Sequence, residues 1–493
     1  MSKYILGIDQ STQGTKAVIF NEQGFIIARS DLAHQQIINE LGWVEHDPIE
    51  IKANVISVVK KVVEKAKIDK NEIMGIGISN QRETALMWDK KTGQPLYNAI
   101  VWQCARGKKI CERIAKTEVT KQIKKKTGLP LSPYFSAAKL AWIVENVKDV
   151  KRKVENNEVC CGTIDSWLIY NLTEEHIFKT DYSNASRTQL FNLNTLSWDD
   201  EICKLFGLNA FNLPEVCASN TIYGYTNFDG FLDKKIPINA VMGDSHAALY
   251  GQFCHNPGEL KSTYGTGSSI MMNVGEKPIY SEQGLVTSIA WGINNKVKYV
   301  LEGNINYTGA VITWLKDNLK LIDSPKETAT LAKMANPKDR TYLVPAFTGL
   351  GAPYWNSEVT AIITGMTRTT GKNEIIKAGL DSIAYQIADI VNLMKTESGL
   401  DINVLKVDGG PTKNEYLMQF QSNILDIAVQ VSKVEELSAC GVAYMAGIAL
   451  DLYDEQILST VIQRNFYEAN MDMVSRNELY QGWKKAVNQT LLA

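Results

Sequence analysis

Short apolar runs separated by glycine-bearing turns recur along the chain, with the length and composition of buried strands. Tyr4 to Ile8 is apolar, Ala17 to Phe20 follows a glycine turn, and Phe25 to Ala28 returns after a hairpin turn over Asn21 to Gly24. The pattern then changes period. Asp47-Pro48 has the form of a helix start, with Asp47 as N-cap and Pro48 in the first helical position. Ile51, Val55, Val58, Val59, Val62 and Val63 follow at helical spacing and define one apolar face. Ile73 to Ile78 and Ala85 to Trp88 read as further buried strands, the latter closed by a turn ending at Gly93.

The second half repeats this grammar. Lys261 to Thr263 leads into Tyr264-Gly265-Thr266-Gly267-Ser268-Ser269 and a second strand, Ile270 to Asn273. Asn306 to Leu319 predicts a helix. Asn373 is the expected cap of a long helix with Ile376, Leu380, Ile383, Ile387 and Ile390 inward and Gly399 at its end. Val404 to Val407 is a strand running into Asp408-Gly409-Gly410-Pro411-Thr412-Lys413-Asn414. Strand, glycine turn, strand near the start of each half predicts an α/β protein of two similar domains facing a cleft. Asn256-Pro257-Gly258 is the visible break, and the expected division is 1–252 and 253–493.

Composition narrows the class. The 493 residues exceed one ordinary core, and the 45% hydrophobic, 22% charged mix is that of a globular protein. A net charge of −2 predicts neither nucleic acid nor an anionic membrane as partner. The basic run Lys124 to Lys126 reads as a solvated helix face. No apolar run approaches the ~18 residues of a membrane span. The first residues enter a strand directly, so the expectation is a cytoplasmic chain with no signal peptide. The eight cysteines form no C-x-x-C pair and read as reduced, mostly buried thiols.

Two aspartates carry the candidate chemistry. Asp9 lies in YILGIDQSTQGTKAVIF and Asp244 in AVMGDSHAALYG. Each follows a strand and is followed by small or hydroxyl residues whose backbone N–H groups are accessible. Such turns cradle phosphate oxygens, and a carboxylate beside them holds a metal or accepts a proton. Ser11, Thr12 and Thr15 add hydroxyls and Lys16 a positive charge, although G-x-x-x-x-G-K-[ST] is absent. The 264–269 turn and the 408–414 turn follow the same logic, the latter opening a helix. Other readings of single residues stand beside these. Trp102 and Tyr134 also read as core aromatics, Arg82-Glu83 as a surface ion pair, and Asp244 as a cap for a helix starting at Ser245.

Many motifs in one order resemble the FGGY family of carbohydrate kinases, and within it the glycerol kinases. They are GWVEHDP from Gly42, ISNQRET from Ile78, YNAIVWQC from Tyr97 and PYFSAAKLAW from Pro133. TDYSNASRT from Thr180, TYGTG from Thr263, LVPAFTGLGAPYW from Leu343 and VDGG from Val407 complete the set. The resemblance implies two actin-like, ribonuclease-H-like ATPase domains around a central cleft. It implies ATP and Mg²⁺ as cofactors, a small polyol or sugar as substrate, and a homodimer or homotetramer. Asp244 matches the catalytic base, and Asp9 the carboxylate that helps hold the metal, with Asp244 also on the metal side. Arg82, Glu83, Trp102 and Tyr134 match a polyol pocket. Thr12, Gln13, Lys16 and Thr266 match phosphate-side positions, and Gly309, Thr313, Gly410 and Asn414 positions around the nucleotide.

Several positions depart from that pattern. Glycerol kinases generally carry Gln after the base and Phe at the position of Ser269, where this chain has Ser245 and Ser269. Both are pocket positions in the family that the chain resembles. Losing a donor–acceptor arm and an apolar wall predicts a roomier, more polar pocket that tolerates a four- or five-carbon polyol or ketose. Glycerol remains the first expectation. Lys16 stands where glycerol kinases have Arg, which removes the bidentate fork but keeps the charge, and Gly14-Thr15-Lys16 is closer to other FGGY sugar kinases. Asp233-Lys234-Lys235 stands where some bacterial glycerol kinases carry a Gly- and Arg-bearing effector loop for fructose 1,6-bisphosphate, and its carboxylate predicts that this chain lacks that regulation. Two other classes compete: a serine hydrolase with Gly243-Asp244-Ser245-His246-Ala247 as nucleophile elbow, and a non-catalytic actin-like ATPase. His246, two residues after Asp244, is another candidate base but matches no family site.

Overall fold

The computed structural model describes residues 2–117 and 119–492. Two large mixed sheets organise it. In the N-terminal half, strand Tyr4–Gln10 runs antiparallel to Gly14–Phe20, which pairs antiparallel with Ile26–Ala33. On its other edge Tyr4–Gln10 runs parallel to Ile73–Asn80, and that strand runs parallel to Ile236–Gly243. The C-terminal sheet repeats the plan. Leu260–Tyr264 pairs antiparallel with Ser268–Gly275 and parallel with Val404–Asp408, which runs parallel to Ala428–Ser432. Lys296–Ile305 pairs antiparallel with Ser268–Gly275. The duplicated grammar read from the sequence is thus a duplicated topology.

The helix expected after Asp47 runs Pro48–Ala66. The Asp47 carboxylate accepts from the Ile49 N–H, and the six predicted apolar positions are buried against the first sheet. Two other helix starts need correction. The long helix is Lys372–Ser398, and its N-cap is Gly371, not Asn373. The Glu374 side chain accepts from the Gly371 N–H at 2.9 Å, so a capping residue three positions downstream replaced the expected one. The helix expected from Asn306 begins at Gly309 and ends at Asp317. Thr308, its N-cap, and Ala310, within its first turn, both donate their N–H groups to the Thr266 carbonyl.

Helix Leu437–Ala449 packs the halves together. Its sequence, LSACGVAYMAGIA, is small enough for backbones to touch. A Cβ on Gly441 would sit 1.9 Å from the Ala247 carbonyl oxygen, and one on Gly77 would sit 2.3 Å from that of Val442. Around it a shared core gathers Ile5, Val18, Met242, Leu249, Met271 and Val300 from both halves. Each sheet has its own larger core besides. All eight cysteines are free, seven of them buried.

Candidate active site

Register places the two aspartates. Asp9 pairs with Lys16 on one side and with Ser79 on the other, so a cation and a hydroxyl flank its carboxylate. Ser79 Oγ donates to Asp9 Oδ1 at 2.8 Å. Gly243 pairs with Asn80 at the end of the next parallel strand, and Asp244 follows at the start of helix Asp244–Gly251. Both carboxylates therefore emerge at the carboxyl ends of parallel strands, where open α/β sheets bind ligands. Burial pushes the Asp9 carboxyl up to about 6, against the pull of Lys16 and Ser79 and with the further push of Asp244 and Glu436. Lys16 itself lies 3.0 Å from Glu436, which also binds Arg29.

Between the halves lies a buried cluster of charge. Arg82 Nη1 and Nη2 donate to the two oxygens of Glu302, both at 2.9 Å, while its Nε faces Asp244 Oδ1 at 3.2 Å. Arg187 Nη1 lies 3.0 Å from Glu302, and its Nε donates to Glu83 Oε1 at 2.5 Å. Arg82, Glu83, Arg187 and Glu302 are all buried. Glu302 comes from strand Lys296–Ile305 in the C-terminal half, and the other three come from the N-terminal half. Burial alone would raise the Glu302 carboxyl; Arg187 and Arg82 outweigh it and hold it well below the usual range. Arg82 and Glu83 are thus not a surface ion pair, and each binds a different partner. Glu83 also holds a left-handed backbone at φ 58°, a conformation costly for a side-chain-bearing residue and common at working sites.

An aromatic wall flanks this cluster. Trp102 and Tyr134 are half-buried with ring centroids 5.6 Å apart, each at the edge of a hydrophobic core. Trp102 Nε1 donates to Thr12 Oγ1 at 2.9 Å, tying the wall to the first glycine turn. Its backbone N–H donates to Thr84 Oγ1, whose own proton goes to Gln81. Ser269 Oγ donates to Glu302 Oε1 at 3.3 Å, and Ser245 is half-buried beside Asp244. Asp244 does accept from the Ser245 N–H at 2.6 Å, although the helix N-cap is Gly243. His246 is fully buried, contacts Ser288 Oγ at 3.2 Å, and is held neutral by burial and by Arg82.

The remaining glycine turns meet in the C-terminal half. Gly309 N–H donates to the Gly265 carbonyl, and Pro411 lies within 3.7 Å of a Cβ built on Gly309. The two turns and the helix N-terminus at Gly309 therefore share one corner. Gly409 has φ 102° and approaches Tyr264 so closely that a Cβ would lie 2.1 Å from its carbonyl oxygen. Gly410, by contrast, faces open space. Asn414 caps helix Glu415–Leu425 and donates to Thr328 Oγ1. Thr266, Gln13 and Thr313 are exposed.

Sequence reasoning missed Glu302, Arg187, Ser79 and Glu436. Signals were present: Ser79 and Arg187 lie inside ISNQRET and TDYSNASRT, and Glu302 follows the apolar run Tyr299 to Leu301. Among the described residues, no group of three or more His, Cys, Asp or Glu forms a metal cluster. Among the same residues, no helix is long and apolar enough to cross a membrane.

Comparisons with known proteins agree along the whole chain. The model of the FGGY family of carbohydrate kinases, N-terminal domain, matches residues 4–251, and that of its C-terminal domain matches residues 260–450. Glycerol kinase 1 of Thermotoga maritima is 48% identical over 490 residues, 99% of each chain. Glycerol kinase of Thermoanaerobacter sp. is 46% identical over 493 residues, 100% of this chain and 99% of its own. Among solved structures, Plasmodium falciparum glycerol kinase with ADP superposes with TM-score 0.94 at 38% identity, covering 99% of this chain and 98% of its own. Gluconate kinase from Lactobacillus acidophilus, at TM-score 0.88 and 22% identity over 99% and 98% of the two chains, shares the fold. The two sheets are accordingly actin-like ATPase domains.

Two predictions follow from the charges. Glu302→Gln leaves Arg82 and Arg187 without their shared carboxylate and should cost about 3–5 kcal/mol in urea unfolding; an unchanged midpoint would show that the cluster contributes nothing. Asp9 has a folded pKa of about 6, above its ordinary 3.8, so its charged form opposes folding and stability falls as pH rises between those values. Without added metal, Asp9→Asn should therefore melt higher than the parent at pH 7 and lose that advantage near pH 4.

Proposed function

The chain belongs to the FGGY family of carbohydrate kinases, and on that premise we propose that it transfers the γ-phosphate of ATP to a terminal hydroxyl of glycerol, giving glycerol 3-phosphate. It is an ATP-dependent phosphotransferase. The observation that supports the polyol reading most is the 3.2 Å contact of Arg82 with Asp244 beside the Trp102–Tyr134 wall. A cation, a carboxylate base and two aromatic faces are what a short chain of hydroxyls and C–H edges needs.

In this reading Asp244 takes the proton of the attacking hydroxyl. Arg82 and Glu83 meet the hydroxyls of the polyol, and Trp102 and Tyr134 cover its C–H edge. Thr12, Gln13, Lys16 and Thr266 face the phosphates. Gly309, Thr313, Gly410 and Asn414 surround the nucleoside, with Gly410 leaving room for a ring. Catalysis is then mainly positioning and charge neutralisation. Asp9 and Asp244 are the carboxylates that would hold Mg²⁺; burial raises the Asp9 carboxyl to about 6, a cost to its charged form that a bound cation would offset. When bound, the ion neutralises phosphate charge. The domains divide at residues 252 and 253, and the enzyme is a cytoplasmic homodimer or homotetramer with no nucleic-acid or membrane partner.

A second reading, a four- or five-carbon polyol or ketose, rests on Ser245 and Ser269. Ser269 spends its hydroxyl on Glu302, so its departure from the family extends the charge cluster as well as opening space.

Asp244→Asn should lower glycerol-dependent ADP release by roughly 10²–10⁴-fold, whereas Ser245→Ala should retain most of it. Across glycerol, erythritol, threitol, arabinitol, xylitol, ribulose and xylulose, glycerol should show the highest kcat/KM. A higher value for any longer substrate would transfer the proposal to the second reading.

A further inference from the structure

Lys139 is fully buried, yet no step above uses it. It stands in PYFSAAKLAW, on the first turn of helix Ser136–Asn146. Its Nζ donates to the Pro133 carbonyl at 2.8 Å, to the Phe135 carbonyl at 3.2 Å and to that of Tyr134. An ammonium has three N–H donors, and three consecutive carbonyls receive them. A neutral amine has only two, so this arrangement favours the charged form. Burial pulls Lys139 down to about 7, and Glu83 opposes that pull, as do Cys104 and Cys111, while Arg106 adds to it.

The strap held this way carries two rings of the site. Tyr134 leans on Trp102, and Phe135 lies under the Arg187 guanidinium at 5.3 Å. No carboxylate forms a salt bridge with Lys139 among the described residues, so the carbonyls are what hold it. An aliphatic side chain would fill the same core volume without the cost of desolvating a cation. The charge is therefore spent on the backbone of the strap.

We propose that Lys139 is a positioning residue of the polyol pocket, fixing the Pro133–Phe135 strap so that Tyr134 closes against Trp102. This rests on the polyol reading of Tyr134 given above. Arg does not substitute for Lys here, since its planar fork cannot converge on three adjacent carbonyls.

The test is steady-state kinetics on the full chain, with ADP release followed while polyol and ATP are varied separately. Lys139→Met should raise the polyol KM by roughly 10-fold or more while kcat and the ATP KM stay within about 3-fold. Lys139→Arg should not rescue it, and Lys139→Gln, with two donors, should fall between. In a Tyr134→Ala background Lys139→Met should add no further rise, because the ring it positions is gone. An unchanged polyol KM in Lys139→Met, an equal rise in both KM values, or full additivity with Tyr134→Ala would overturn the proposal. If Lys139→Met shows no cooperative melt, Lys139→Gln carries the same criteria. The parent protein measured alongside separates the two failures. No polyol-dependent turnover in the parent sinks the polyol reading, whereas normal parent turnover with an indifferent Lys139→Met sinks the strap.

Discussion

A carboxylate from one half of the molecule holding two arginines from the other is the interaction on which the site depends. Glu302 receives both terminal nitrogens of Arg82 and lies against Arg187, with none of the three open to solvent. Taking three charges out of water is costly and is compensated only by good geometry. The bidentate geometry fixes the plane of the Arg82 guanidinium, and that plane directs Nε at Asp244. Arg187 in turn fixes Glu83, and the backbone of Glu83 accepts from Ser136 at the start of the helix that bears Lys139. Polyol wall, base and charge cluster are thus one connected object.

The phosphate side is organised differently. There the backbone sets the positions: register puts Lys16 and Ser79 beside Asp9, and close-packed glycines bring turns together. Glu436, at the N-terminus of the seam helix Leu437–Ala449, draws Lys16 toward the C-terminal half. Ser438 on the same helix donates to the Asp244 carbonyl at 3.0 Å. One helix therefore touches both aspartate turns, and a change in how it packs reaches both.

Local chemistry made much of the fold legible in the sequence. The Asp47 cap, the valine face behind it and the strand–turn–strand starts of both halves all depend on neighbours within a few residues, and all were found. Asn373 misled because Asn is a good cap in general, while the actual start used Gly371 with Glu374 folding back. Asp9, Asp244, Arg82, Trp102 and Tyr134 were named, and so were Lys16 and Thr12 beside them, but the buried carboxylate that orients Arg82 was not. Glu302 is 220 residues from Arg82 in sequence, and no periodicity links them. A lone Glu in an apolar strand signals that a buried cation exists without saying which. Lys139 was read as part of a motif, and its three carbonyl partners became visible only when the strap was seen to fold back on it.

The cross-half pair is tested most directly by a double-mutant cycle read in glycerol affinity rather than in stability. Binding to the parent, Arg82→Met, Glu302→Gln and the double variant would be measured by calorimetry in the presence of a non-hydrolysable ATP analogue. If Glu302 acts on the polyol through Arg82, the double variant should bind about as weakly as Arg82→Met alone, a coupling of ~1.5 kcal/mol or more. Effects that add within about 0.5 kcal/mol would mean that the two residues serve the pocket independently and would contradict the central role given to this pair.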